Sequence, residues 1–399
     1  MQTVGQPRTQ TARILDDALA GGTLGRDNAC SLLASSGGDL AALLQAASEL
    51  RDLYKGRIVT YSRKVFIPLT NLCRDVCSYC TFVRQPDDPA ARTMTSEDVL
   101  DAARQGQAAG CKEALFSLGD KPELKYPEYR DWLGARGYAS TIEYLSEMCE
   151  LVARETGLLP HANPGILTAA DIEALRPHNA SMGLMLENVS TRLLGAGMPH
   201  HRCPDKAPQL RLRTIEEAGR QRVAFTTGIL IGIGETLEER VDSLLAIRDL
   251  HQRYGHVQEV IIQNFRAKPD IPMRDHPDAT ALDMARTIAV ARLLLGDMNI
   301  QAPPNLTPEA YGFYLLAGIN DWGGISPVTR DFINPEAPWP QVEELRRVCE
   351  EAGFQLRERL ALYPEYVRAG DGFIPDALRR RISDLTDADG LVRRELEAA

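Results

Sequence analysis

Along the first sixty residues the apolar positions recur every three to four residues. TARILDDALAG, CSLLAS and DLAALLQAASELRDLY carry this spacing, and GGTLG and SSGG interrupt it. It is the period of an amphipathic helix, so residues 1–60 are expected to form a helical N-terminal extension that caps the rest of the chain, with no strand in it. From Val65 the pattern changes. Short apolar runs appear at VFIPL, EALFSLG, LLPHANPG, SMGLMLEN, VAFTTGILIGIG, VQEVIIQNF and NIQAPPN. Runs of this length, bounded by Gly, Pro or Asn, read as buried strands. Between them lie TSEDVLDAARQGQAAG, STIEYLSEMCELVARETG, TAADIEALRP, QLRLRTIEEAGRQ, TLEERVDSLLAIRDLHQRYG and TALDMARTIAVARLLLGDM, all with helical period. Several of these open with Ser or Thr and place a carboxylate near the third position, which satisfies free N–H groups of a first turn.

Strand and helix in turn predict an α/β protein with a parallel sheet and helical crossovers. Residues 61–365 suit a TIM-like (β/α) barrel, with an open doubly wound sheet as the alternative. Residues 366–399 are expected to form a C-terminal helical tail. Polar residues gather where the strands end: Asp120, His161, Asn163, Glu187, Asn188, Glu235, Gln263 and Asn264. That is the face on which barrel sites are built, although strand ends are also polar simply because they meet water.

Composition narrows the class. The chain has 399 residues, 44% hydrophobic and 25% charged, which is ordinary for a globular protein. A net charge of -10 argues against a nucleic-acid partner. No apolar run approaches the roughly 18 residues of a membrane span, and MQTVGQPRTQTARILDD has no apolar core of a secretory signal. The expected address is the cytoplasm, where thiols stay reduced and clustered cysteines suggest metal or redox chemistry.

Three of the eight cysteines fall within ten residues, NLCRDVCSYC, at Cys73, Cys77 and Cys80. The loop comes after the first strand, at the ligand-binding edge of the sheet. A structural zinc site wants four ligands, and no fourth is signalled nearby. A 4Fe–4S cube held by three thiolates leaves one iron open for a ligand. Cys30, Cys111, Cys149, Cys203 and Cys349 are scattered, as small buried hydrophobes would be. HHRC, at His200–Cys203, reads as a polar loop before Pro204.

C-x3-C-x2-C after the first strand, with the barrel pattern behind it, resembles the radical S-adenosylmethionine (SAM) superfamily. The resemblance implies one 4Fe–4S cluster and SAM as cosubstrate, with the SAM amino and carboxylate groups on the open iron and a 5′-deoxyadenosyl radical as the reagent. It also implies SAM-binding positions. Tyr79 precedes the third cysteine. Gly119 and Asp120 of LGDKPE stand where the amino group is bound, with Gly-Asp-Lys in place of the usual Gly-Gly-Glu. Glu187 stands at a ribose-binding position, and Arg211 at a carboxylate-binding position, with Arg213 as rival. Gly232 belongs to GILIGIGE, whose glycines let backbone approach the adenine.

Longer stretches, TYSRKVFIPLTNLCRDVCSYCTF, EALFSLGDKPE, PHANPG, QNFRAKPDIPM and DWGGISPVTRDFINPEAPWP, are similar to the CofG-type 7,8-didemethyl-8-hydroxy-5-deazariboflavin (Fo) synthase family, from about Thr60 to about Tyr363. This similarity implies a lyase. A CofH-type radical SAM partner subunit would join the hydroxybenzyl part of tyrosine to a ribitylaminouracil. This chain would take a hydrogen from the adduct, close the ring and release ammonia. An electron donor is also required. The adduct carries a pyrimidinedione, a phenol and a polyol, for which His161, Asn163, Gln263, Asn264, Asn320, Asp321 and Trp322 could supply contacts. Ring closure requires proton removal, and the ordinary pKa of a histidine suits His161 to that task. A biotin-synthase-like or menaquinone-pathway-like enzyme would share the cluster but not DWGGISP. A zinc-stabilised binding protein is the alternative from another class.

Overall fold

The computed structural model describes residues 9–370 and 372–397. The first eight residues of the expected N-terminal extension, Asp371 and the last two residues of the expected tail lie outside them. Eight parallel strands close into a barrel: β1 (Ile58–Pro68), β2 (Glu113–Ser117), β3 (Leu159–Asn163), β4 (Ser181–Gly183), β5 (Phe225–Ile231), β6 (Val257–Asn264), β7 (Asn299–Gln301) and β8 (Asp321–Ile325). Closure falls to β1, whose eleven residues serve three partners. Lys64 to Pro68 pair with β2, Thr60 to Arg63 with β8, and Ile58 to Tyr61 with a ninth strand, β9 (Gln355–Glu358). The closed TIM-like barrel results from this pairing.

Two strands were not legible as runs. β8 is DWGGI, where glycines dilute the apolar signal, and β9 is the short charged QLRE. The strand β1 also begins at Ile58, inside the segment expected to be helical throughout. The fourth strand stops at Gly183. Beyond it Glu187 meets Ile229 in a single bridge and has φ of 64°, a conformation that a bulky side chain seldom takes.

The helices wrap the barrel. They are α1 (Gln10–Leu19), α2 (Arg26–Leu33), α3 (Gly37–Lys55), α4 (Ser96–Ala108), α5 (Pro127–Gly134), α6 (Thr141–Thr156), α7 (Ala169–Leu175), α8 (Pro208–Arg220), α9 (Leu237–Tyr254), α10 (Ala281–Leu295), α11 (Val342–Glu351), α12 (Pro364–Ala369), α13 (Asp376–Leu385) and the single turn α14 (Arg394–Glu397). Three of the crossover helices, α4, α7 and α9, begin with a full capping box at Thr95–Asp98, Thr168–Asp171 and Thr236–Glu239. The N-terminal helices do not cap an end of the barrel. They form a side layer in which α3 packs on α10 and α2 on α9. The buried Arg51 of α3 fixes this layer by donating to the carbonyls of Leu315 (3.0 Å) and Ile319 (2.9 Å). No helix among the described residues is long and apolar enough to cross a membrane.

After β9 the chain passes under the N-terminal ends of the strands. Ala361 accepts hydrogen bonds there from Ser181 Oγ (2.8 Å) and Gln258 Nε2 (3.0 Å). The tail then packs Ile374, Leu378, Ile382 and Leu385 on Leu159, Ala180 and Ala224. One end of the barrel is closed in this way. The other end, where the strands finish, is left for the site.

Candidate functional site

The cysteine loop leaves β1 at the open end and is stitched down on three sides. Toward the loop after β2, Gly119 N donates to Thr70 O (3.0 Å) and Arg74 N to Asp120 O (2.9 Å). Toward the segment before α8, Val76 N donates to Arg202 O (3.2 Å) and Ser78 N to Pro199 O (3.0 Å). Met273 N donates to Ser78 O (3.2 Å) on the third side. Gly119 is required by closeness: a Cβ there would stand 1.9 Å from the Leu72 carbonyl oxygen. Such a contact leaves room for hydrogen alone.

Cys73, Cys77 and Cys80 line one cavity of about 360 Å³. Burial pushes the Cys73 and Cys80 thiols up, and contact with Cys203, followed by burial, raises Cys77, so the thiolates that metal binding needs would be stabilised there by a cationic partner such as iron. The peptide N–H of Asp120 points at Cys73 Sγ from 3.2 Å. Three sulfurs open to one cavity, with backbone donors on Cys73 and Cys80, fit a three-thiolate iron–sulfur cluster.

Tyr79, Gly119, Asp120, Glu187, Arg211, His161, Asn163, Gln263 and Asn264 line or border the same cavity. Around Asp120 the environment is acidic. A carboxylate oxygen each from Asp75, Asp120 and Asp205 lie within 4.8 Å of one another, all buried. Burial first, then Asp205, pushes the Asp120 carboxyl up to about 7. Its Oδ2 accepts from Ile166 N at 3.0 Å, while its Oδ1 has no partner. Burial works to raise Glu187, yet Lys206 and Arg211 hold it below its ordinary value. Lys206 Nζ stands 2.6 Å from its carboxylate and Arg211 Nη2 3.9 Å. Arg211 is further fixed by donating to Met185 O (2.7 Å) and Asp205 O (3.1 Å). Its rival Arg213 lies two residues on along α8 and is exposed on the outer face.

His161 sits at the cavity floor in one definable tautomer. Ser181 Oγ gives its proton to Ala361 O and lies 2.7 Å from His161 Nδ1. The imidazole must therefore donate from Nδ1, which leaves Nε2 as an acceptor. Burial pulls its pKa down to about 4. This corrects the expectation from the ordinary pKa: the resting ring is neutral and accepts.

Three expected positions are not at the cavity. Asp321 opens β8 at the closed end of the barrel, and Asn320 directly precedes it. Asn320 Oδ1 accepts from Arg292 (2.9 Å) and Ile300 N (2.9 Å), and Asp321 takes a bidentate contact from Arg359 (2.7 and 2.9 Å). Both side chains are spent on structure, because a strand's first residues lie a barrel's height from its last. Gly232 has φ of 86°, and its N–H and that of Ile233 go to the Glu235 carboxylate, 2.8 Å each. The motif there shapes the turn after β5. Trp322 reaches the cavity wall, but its indole N–H donates to Cys349 Sγ at 3.3 Å.

Sequence reasoning missed other lining groups. Lys64 pairs with Glu113 (2.8 Å), and Glu259 with Arg359 (3.3 Å), beneath His161. The signal was present: Lys64 interrupts an apolar strand at an inward position. HHRC is not a free polar loop. His200 and Cys203 are buried against the cysteine loop, with His200 Nε2 2.9 Å from Tyr79 Oη and Cys203 Sγ 3.5 Å from Cys77 Sγ. The segment 326–341 covers the mouth. It stacks Trp339 on Phe66, ring centres 5.2 Å apart, and ties Ile333 O to Thr81 Oγ1 (2.7 Å) and Lys268 Nζ (3.3 Å).

Comparison with known proteins agrees with this geometry. Residues 67–247 match the radical SAM superfamily. The chain is 52% identical over 336 residues to a 7,8-didemethyl-8-hydroxy-5-deazariboflavin synthase of Methanopyrus kandleri, covering 84% of this chain and 100% of that protein. It is 52% identical over 387 residues to an FO synthase of Nocardia farcinica, covering 94% of this chain but 45% of that longer protein. Among solved structures, the FeFe-hydrogenase maturase HydG of Carboxydothermus hydrogenoformans superposes with a TM-score of 0.71 at 18% identity, over 98% of this chain and 93% of that one. That likeness speaks for the fold. Identity at this level over the whole of a relative, joined to the three-cysteine cavity, places the chain in the 7,8-didemethyl-8-hydroxy-5-deazariboflavin (Fo) synthase family of radical SAM enzymes.

Proposed function

We propose that this chain performs the ring-closing half of Fo formation as a carbon–nitrogen lyase. Its substrate would be the tyrosine-derived adduct 5-amino-5-(4-hydroxybenzyl)-6-(D-ribitylimino)-5,6-dihydrouracil, from which ammonia leaves. The observation that carries this reading is the shared cavity: the three cysteines of one loop and the polar set His161, Asn163, Gln263 and Asn264 face one another across it. When bound, the cluster and SAM supply a 5′-deoxyadenosyl radical that takes a hydrogen atom.

The protein's own groups bind, orient and exclude water. Cys73, Cys77 and Cys80 hold the cluster. Gly119 and Asp120 would receive the SAM ammonium, for which the unpartnered Asp120 Oδ1 is suited. Glu187 would take the ribose hydroxyls, and Lys206 with the free edge of Arg211 the carboxylate. Asn264 Oδ1, buried and without a partner, is an acceptor for a uracil N–H. His161 Nε2 would accept a proton or hydrogen bond from the adduct as the ring closes. The Phe66–Trp339 pair offers flat apolar surface, and segment 326–341 screens the radical from water.

A CofH-type partner subunit and an electron donor complete the reaction in this reading, in the cytoplasm. The length of the Nocardia farcinica relative supports the first: this chain accounts for 45% of it, leaving room for a second half.

The test is anaerobic reconstitution with iron and sulfide, reduction, and addition of SAM and the adduct. 5′-Deoxyadenosine and fluorescent Fo should appear together, and both should vanish in Cys73→Ala. Deoxyadenosine without Fo would point to another substrate. His161→Gln should retain SAM cleavage and lower the rate of Fo formation by about a hundred-fold or more, on the order of what an acid–base group contributes; an undiminished rate would remove His161 from the reaction.

A further inference from the structure

A fourth cysteine lies against the cluster loop. Cys203 is 126 residues away from Cys77 in sequence, yet its Sγ stands 3.5 Å from that of Cys77, and both side chains are buried. The approach is held by more than one contact. Two backbone hydrogen bonds, Val76 N to Arg202 O and Ser78 N to Pro199 O, clamp the 199–203 segment along the cysteine loop on either side of Cys77. Tyr79 Oη meets His200 Nε2 at 2.9 Å, with the rings edge to face. Cys203 does not line the cavity, while Cys77 does.

Which sulfur donates is decided by elementary bonding. A cysteine that binds iron does so as thiolate and has no proton to give. Between Cys77 and Cys203, the donor must then be Cys203. We propose that Cys203 is a positioning residue for the cluster, whose S–H donates to the Cys77 sulfur from outside the cavity and raises the cluster's reduction potential. The inference rests on the reading of Cys73, Cys77 and Cys80 as cluster ligands. A donor to a ligand sulfur favours the reduced, more negative cluster, and hydrogen bonds to the sulfurs are among the determinants of such potentials. Backbone N–H groups serve the other two ligand sulfurs, Asp120 on Cys73 (3.2 Å) and Phe82 with Val83 on Cys80, so each of the three then carries a donor. The backbone donors are fixed by the fold; the Cys203 donor is a side chain and can be changed.

The experiment compares Cys203→Ala and Cys203→Ser with wild type after anaerobic reconstitution. Iron and sulfide are counted first, then the midpoint potential is measured by redox titration followed by electron paramagnetic resonance. Cys203→Ala should move the midpoint to more negative potential, and Cys203→Ser, which keeps a hydroxyl donor, should return it toward wild type. Identical midpoints in all three proteins overturn the proposal. Equal shifts in both variants also overturn it, since packing alone would then account for them. If Cys203→Ala fails to assemble, the infrared S–H stretch decides between wild type and Cys203→Ser. The band lost in the variant should lie below those of the other free thiols, and a band at their frequency overturns the donation. A wild-type protein that takes up no iron and sulfide overturns both this inference and the cluster reading on which it rests.

Discussion

His161 shows what burial does to a single residue. Its identity and place at a strand end were readable, whereas its tautomer and protonation depended on Ser181 and Ala361, twenty and two hundred positions away. His256 shows the same physics without chemistry. Its Nε2 lies 2.8 Å from Ile215 O, which can only accept, so that nitrogen carries the proton; its Nδ1 is buried without a partner. Burial takes the ring down to about 4 from an ordinary value of 6.5. Between these values the unfolded chain binds a proton that the native state refuses, so the stability present above pH 6.5 is lost as pH falls toward 4. From pH 7 to pH 5 this one ring should cost roughly 2 kcal/mol. Urea unfolding at the two pH values, for wild type and His256→Gln, should show a smaller pH dependence in the variant by about that amount; equal dependence would mean the ring is protonated in the native state.

At the level of elements, the capping boxes at Thr95, Thr168 and Thr236 announce three crossover helices because both partners lie within four residues. The cysteine loop could be located in the sequence but not its supports, which come from three separate stretches of chain. Gly119 is the point where one of those stretches meets the loop itself. In Gly119→Ala a methyl group would meet the Leu72 carbonyl at 1.9 Å, which the loop can relieve only by moving Cys73 away from its neighbours. The expected result is an unchanged far-ultraviolet circular dichroism spectrum with iron content after reconstitution lowered several-fold. Full iron content would show that the loop tolerates the displacement.

The whole molecule is held shut at its closed end by charge. Arg359 is buried and reaches Asp321 from β8 and Glu259 from β6, while Tyr363 Oη donates to Glu259 at 2.7 Å. Two strands on either side of β7 are thereby joined through a segment that comes after the last strand. Removing one partner of such a network leaves carboxylates without compensation, and Arg359→Met should cost about 3–5 kcal/mol in urea unfolding of the cluster-free protein. Arg379→Met, on an exposed face, serves as the control and should change stability by no more than about 0.5 kcal/mol. A loss below about 1 kcal/mol in Arg359→Met would show that the network does not hold the barrel end.

Local and periodic features could be read from the order of residues without any fold. These are the alternation of strand and helix, the three-cysteine loop, and the positions His161, Asn163, Gln263 and Asn264, because strand ends and turn residues are written in neighbouring letters. Folding decided whatever depends on distant stretches of chain meeting. It moved Asn320 and Asp321 to the closed end, since polarity near a strand does not say which end of the strand it occupies. It assigned Arg211 inward and Arg213 outward by the turn of one helix, and it set Cys203 beside Cys77. A strand of DWGGI and one of QLRE acquire their pairing from β1, not from their own hydrophobicity. Contact between residues far apart in the chain is fixed by closure of the barrel, and closure is a property of its eight strands together.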